Sequence, residues 1–117
     1  MVGQSLLIIG GKTDEIVGCI GIEFVSPLKC EIRHIAVNPN SRNQQIGSNM
    51  IYFIMEQFQL DSIFAETDKD AVDFYTSTGF TNTSLGEKYL GVERFHCEFN
   101  TKTTTLKNNP IRIGEII

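Results

Sequence analysis

Residues 45–58 restrict the fold more than any other stretch. Ile46, Met50, Ile54 and Phe58 recur at four-residue spacing, with Ile51 and Met55 beside them. The period is that of a helix. The apolar stripe it makes is wide, as expected for a helix lying on a sheet. The rest of the chain supplies that sheet in short pieces separated by turn residues. Leu6–Ile9 reads as a strand, and Gly10–Asp14 as a hairpin turn, where glycine accepts positive φ. Ile16–Val25 reads as a second strand. Ser26-Pro27-Leu28-Lys29 is a turn, because proline cannot donate to a ladder. Cys30–Val37 reads as a third strand; strict alternation puts Glu31, Arg33, Ile35 and Val37 on one face and Ile32, His34 and Ala36 on the other.

After the helix, Ser62–Glu66 is a short strand. Asp68 is a suitable N-cap for a second helix over residues 69–78, which Gly79 closes in a left-handed conformation. Strands near Phe80–Ser84 and Val92–Phe99 complete the sheet. In the last strand Phe95, Cys97 and Phe99 face inward and Arg94, His96 and Glu98 outward. The order β-β-β-α-β-α-β-β predicts an α+β fold with a mixed, mostly antiparallel central sheet and helices packed on it. Residues 1–100 form one domain. The tail, residues 101–117, reads as a loose end or an extra edge strand.

Composition narrows the function. Ten Lys+Arg against fourteen Asp+Glu give a formal charge of −4, which argues against a nucleic-acid partner gripped through its phosphates. No apolar run reaches the roughly 18–20 residues needed to cross a bilayer. The start lacks the basic region of a secretory signal, so a cytoplasmic location is expected. Three widely spaced cysteines, Cys19, Cys30 and Cys97, make neither a disulfide framework nor a zinc site, and no metal is expected. The cysteines read as packing residues rather than nucleophiles, and Cys30, next to Glu31, is the one to check for reactivity.

The chemistry is concentrated in Glu31–Ser48. A strand runs into a polar loop and then into a helix start that carries a glycine. Unpaired N–H groups at such a start point into the loop with partial positive charge, so a phosphate fits there. Gly47 lets a ligand approach the backbone, and Arg42 can add a charge-assisted bond. The same residues also suit a plain strand–loop–helix junction.

Within this segment, Ile35-Ala36-Val37-Asn38-Pro39 followed by Arg42-Asn43-Gln44-Gln45-Ile46-Gly47 resembles the acyl-CoA-binding motif of the GNAT superfamily of N-acetyltransferases. That motif reads Arg/Gln-x-x-Gly-x-Gly/Ala after a hydrophobic-Ala-Val-x-Pro run. Gln45 stands where the first glycine is usual, so the turn must be made by a residue that disfavours positive φ. A second stretch, Asp68 to Phe80, resembles the superfamily's Asn-x-x-Ala-x-x-Phe/Leu-Tyr-x-x-x-Gly-Phe motif. Ala71, Phe74, Tyr75, Gly79 and Phe80 match it, with Asp68 in place of asparagine. The resemblance covers residues 6–99.

The resemblance implies the acyl-CoA N-acyltransferase fold. It also implies transfer of an acetyl group from acetyl-CoA to a primary amine of a small molecule or peptide by direct attack. The backbone of Asn43, Gln44, Gln45, Ile46, Gly47 and Ser48, with Arg42, is then expected to bind pyrophosphate. Ile35, Ala36 and Val37 would line the pantetheine path where the third and fourth strands splay, and the Ile35 N–H would polarise the acetyl carbonyl. Asp68, Ala71 and Phe74 would complete the donor site. Tyr75 is expected to act as general acid toward the departing sulfur and Glu31 as base for the amine, with Glu66 second. His34 and His96 are read as packing or surface residues. Superfamily members usually begin with a strand and one or two helices, whereas only about five residues precede the first strand here. The chain is then expected to be either a small form or one whose front has been lost, its acceptor pocket open or completed by a second copy in a homodimer. The competing reading is a module of the same fold that holds acetyl-CoA or a protein partner without turnover.

Overall fold

The computed structural model describes residues 3–10, 16–42 and 45–101. The strands are β1 (Gly3–Gly10), β2 (Ile16–Ser26), β3 (Lys29–Val37), β4 (Ser62–Asp68), β5 (Thr81–Tyr89) and β6 (Val92–Asn100). Helix α1 (Ile46–Gln57) follows β3, and α2 (Val72–Thr78) follows β4. The strands form one six-stranded sheet in the order β1-β2-β3-β4-β6-β5. Every pairing is antiparallel except β3 with β4, which is parallel because α1 carries the chain back across the sheet. The mixed, mostly antiparallel α+β sheet expected from the sequence is thus the one found. The expected turn at Gly10–Asp14 falls largely, and the tail almost wholly, outside the described residues.

A single core explains why both helices lie on one face. From α1 it takes Met50, Ile51, Ile54 and Met55, and from α2 Tyr75. The sheet contributes Ile20, Ile22, Cys30, Ile32, Ile63, Ala65, Cys97 and Phe99. Phe58, just past α1, is partly exposed, but its ring meets Phe24 edge-on at 5.1 Å. Burying side chains of this size stabilises the fold by roughly 1.5–3 kcal/mol each. Among the described residues the opposite sheet face is polar, carrying Glu23, Glu31, Arg33, His34, Phe64, Glu66, His96 and Glu98.

Three expectations need correction. Alternation in β3 is not strict. Gly21 pairs with His34 and Ile22 with Ile32, leaving Arg33 as an unmatched bulge residue. The bulge shifts the phase, so Cys30 and Ile32 face the core below it, while Ile35 and Val37 pack on the core above it. His34 therefore shares the polar face with Glu31. Its ring lies over Gly21, where a Cβ would run into it.

The second helix also starts later than expected, at Val72, with Ala71 as an N-cap that makes no side-chain bond. Asp68 stays in β4 opposite Arg94, and its Oδ1 accepts the Asp70 N–H at 3.0 Å. Residues 69–71 form a turn instead, the Ala71 N–H bonding to the Asp68 carbonyl at 3.2 Å, and the helix begins only after it. Finally, β5 runs beyond Ser84 to Tyr89, because the hairpin with β6 continues through a bulge near Gly86.

Candidate functional site

The parallel pairing of β3 with β4 covers only Lys29–Glu31 against Ser62–Phe64. Beyond it, β3 continues to Val37 on β2, and β4 continues to Asp68 on β6. The two strands part, and a gap opens in the middle of the sheet. The Asn38 N–H bonds to the Val17 carbonyl at 2.7 Å, toward β2. Backbone alternation then turns the groups of Ile35 and Val37 toward the gap. Both side chains are half-buried against the core, and Ala36 is exposed. An extended ligand could pair with this edge as an added strand does.

Helix α1 begins beside the wide end of the gap. Among the described residues its first backbone bond runs from the Asn49 N–H to the Gln45 carbonyl at 2.9 Å. The amides of Ile46, Gly47 and Ser48 precede that bond, in the first turn, where amides have no acceptor within the helix. Gln45 takes the left-handed conformation (φ 59°, ψ 26°), so the turn is made by a non-glycine residue, as its place in the motif requires. Arg42 is extended and exposed just before it. Asn43 and Gln44 lie outside the described residues.

Two residues in this segment do something other than the sequence suggested. Gly47 is buried, and a Cβ on it would come within 2.9 Å of Phe74 Cε1 and 3.0 Å of Cζ. The space that was expected to admit a ligand is filled by α2; Gly47 lets the two helices close on each other. The Ser48 hydroxyl lies 2.7 Å from Thr78 Oγ1, which itself donates to the Phe74 carbonyl at 2.9 Å. Ser48 therefore donates to Thr78, and its backbone amide is what it offers a ligand. Tyr52 ties the same helix end by donating to the Thr78 carbonyl at 2.7 Å.

On α2, Ala71 and Phe74 pack at the core margin, Phe74 bridging toward α1. Tyr75 is buried between Phe74 (centroids 5.0 Å apart) and Phe80 (5.2 Å). Burial, with a smaller effect from Cys97, pushes its phenol up to about 12. It keeps its proton at neutral pH and has an O–H to donate.

Glu31 sits at the apex of the gap, on the last residue pair before the strands part. It lies on the sheet face opposite Tyr75, and its Oε1 is 3.1 Å from Arg33 Nη1. Glu66 is a poorer base. Lys88 Nζ lies 3.0 Å from Oε1 and Arg94 Nε 3.3 Å from Oε2, and the hydrogen bond from Lys88 leads in holding its carboxyl below the usual range. Cys30 is fully buried and its thiol is pushed up to about 11 by desolvation, as fits a packing residue rather than a nucleophile. His96, expected as a packing or surface residue, is half-buried on the polar face, and its Nε2 lies 2.9 Å from Glu98 Oε1. The only trace in the sequence was an ionisable pair two residues apart on one strand.

Residues 4–82 match the family model described as an acetyltransferase (GNAT) domain. An uncharacterised N-acetyltransferase of Bacillus methanolicus, encoded in the lysA 3′ region, is 40% identical over 45 residues, 38% of each chain. Among solved structures, nourseothricin acetyltransferase superposes with a TM-score of 0.71 at 14% identity, covering 83% of this chain and 65% of that one. Spermidine/spermine N-acetyltransferase of Vibrio cholerae gives 0.71 at 12% identity, over 90% and 70%. A protein of Bacillus anthracis described as a streptothricin acetyltransferase, in complex with acetyl coenzyme A, gives 0.73 at 19% identity, over 83% and 62%. The structural likenesses establish the fold. The chain spans just under two thirds of nourseothricin acetyltransferase and well under half of the Bacillus methanolicus relative.

Proposed function

The chain belongs to the acetyltransferase (GNAT) family, and on that premise we propose that it transfers an acetyl group from acetyl-CoA to a primary amine of a small molecule or peptide by direct attack. The observation that carries the reading is the gap between β3 and β4, with unpaired strand edge on one side and the amide-bearing start of α1 at its mouth. The residues present fit the donor. The amides of Ile46, Gly47 and Ser48 suit a pyrophosphate, Arg42 adds charge, and the Ile35 and Val37 backbone offers an edge to pantetheine. Bound acetyl-CoA supplies the activated acyl group.

The chain's own groups do the rest. The Ile35 N–H polarises the acyl carbonyl, and Tyr75 presents its retained proton to the sulfur side. The polar face around Glu31 receives the amine. Residues 1–100 make up the acetyltransferase unit in this reading. A second reading, a module that binds acetyl-CoA without turnover, draws on Gln45, whose left-handed backbone is less favourable than that of the usual glycine. Calorimetric titration with acetyl-CoA, followed by thiol release on a panel of amines, separates the two. Binding with release supports the enzyme, binding without release on any amine supports the module, and absence of binding sinks both.

A further inference from the structure

The polar face of the sheet places side chains in rows across the strands. At the apex of the gap, Glu31 on β3 is paired with Phe64 on β4, and Phe64 with Glu98 on β6. In the next row, Glu66 on β4 is paired with His96 on β6, beside the opening. The His96 ring leans back over Phe64, stacked at 5.3 Å between centroids and 24° between planes. Its Nε2 meets Glu98 Oε1 at 2.9 Å. Glu98 is held in turn by Lys29 (3.6 Å) and by the Asn100 amide (3.3 Å), and Lys29 also sits over the Phe64 ring at 5.2 Å.

This arrangement fixes a tautomer. The hydrogen bond from His96 leads in lowering the Glu98 carboxyl, with Lys29 adding to it, so Glu98 is an anion and only accepts. The Nε2 position must therefore carry hydrogen, and in a neutral ring the lone pair is on Nδ1. The His96 side chain is 36% exposed, and Nε2 is the ring nitrogen that Glu98 holds. The other bases near the apex are occupied: Glu31 by Arg33, and Glu66 by Lys88 and Arg94.

We propose that His96, oriented by Glu98, is the general base that takes the proton from the acceptor amine, directly or through one water. This rests on the amine acetylation proposed above. As the N–C bond forms and the C–S bond breaks, one nitrogen proton passes to His96 Nδ1. The sulfur gains a proton from the Tyr75 side or from solvent, and His96 returns its proton to solvent. Glu98 acts as a positioning residue. The charged and titratable groups around the ring are Glu98 and Arg94 on β6, Glu66 on β4, Lys29 on β3 and Lys88 on β5.

The test compares wild type, His96→Gln and Glu98→Gln by pH–rate profiles on the best amine of the panel, with calorimetric acetyl-CoA affinity measured on each. His96→Gln should lower kcat/KM by about 10²-fold or more, leave acetyl-CoA affinity unchanged, and flatten the pH dependence of kcat/KM. Glu98→Gln should lower kcat by about tenfold with KM for the amine and acetyl-CoA affinity unchanged, because the imidazole loses the carboxylate that fixes its orientation and tautomer. If His96→Gln does not fold, the fall in kcat of Glu98→Gln decides. An active wild type whose kcat and pH profile are unchanged in the variants overturns the role of His96 alone. A wild type that binds acetyl-CoA and acetylates no amine overturns the proposed function with it.

Discussion

Gly47→Ala distinguishes a packing role for this glycine from a ligand-access role. An added Cβ would lie 2.9 and 3.0 Å from two Phe74 ring carbons and 3.7 Å from Val37 Cγ2. The ring cannot swing away freely, because it stands edge-on to Tyr75 at 5.0 Å. Overpacking of this kind costs about 1–3 kcal/mol. Alanine regains up to about 1 kcal/mol over glycine in a helix. The balance is a loss of about 1 kcal/mol, or a fall in Tm of roughly 3–5 °C for a chain of this size. Trimming the neighbour tests the cause. In Gly47→Ala/Phe74→Leu the two losses should fail to add, with a favourable coupling of about 1 kcal/mol in a double-mutant cycle. Thermal and denaturant unfolding measure this, and titration with acetyl-CoA on the folded single variant should show affinity within about threefold of wild type. The packing argument fails if Gly47→Ala keeps its Tm while acetyl-CoA affinity drops about tenfold or more, and if Phe74→Leu restores nothing.

Other consequences follow from the same geometry. Tyr75→Phe should lower kcat by about 10²-fold with little change in KM for acetyl-CoA; an unchanged kcat removes the phenol from the reaction. Gly79→Ala forces a side chain into φ 115° and brings a Cβ within 2.9 Å of Phe99 Cε2, so a loss of about 2–3 kcal/mol is expected in denaturant unfolding. At mildly alkaline pH a thiol reagent should modify Cys19 ahead of Cys30 and Cys97, which are buried and raised by desolvation. Equal rates for all three in the folded protein would contradict the core described. Glu66 and Glu98 are both held below the ordinary carboxylate range. The stability they contribute is therefore complete above that range and is lost as pH falls through their folded values. A Tm profile from neutral to acid pH should fall less steeply in Glu66→Gln/Glu98→Gln than in wild type, and parallel profiles would refute the assignment.

Much of this molecule follows from local pattern alone. The four-residue spacing from Ile46 to Phe58 encodes one amphipathic helix, and Gly79 ends α2 because a left-handed residue is needed there. The two stretches around Arg42–Gly47 and Asp68–Phe80 marked the strand–loop–helix units, and each unit forms within a few residues of itself. The places where the sequence misled all depend on a neighbour distant along the chain. The bulge at Arg33 exists because β2 pairs past it, which carried His34 to the face of Glu31. Asp68 remains extended because Arg94 is opposite it. Gly47 is needed because of Phe74, a contact between two helices that no spacing within either one encodes. The same holds for the gap itself. Its position depends on α1 returning the chain so that β4 meets β3 over only three residue pairs. Period and turn chemistry are written residue by residue, whereas register, face and close approach are settled by which surfaces the folded chain brings together.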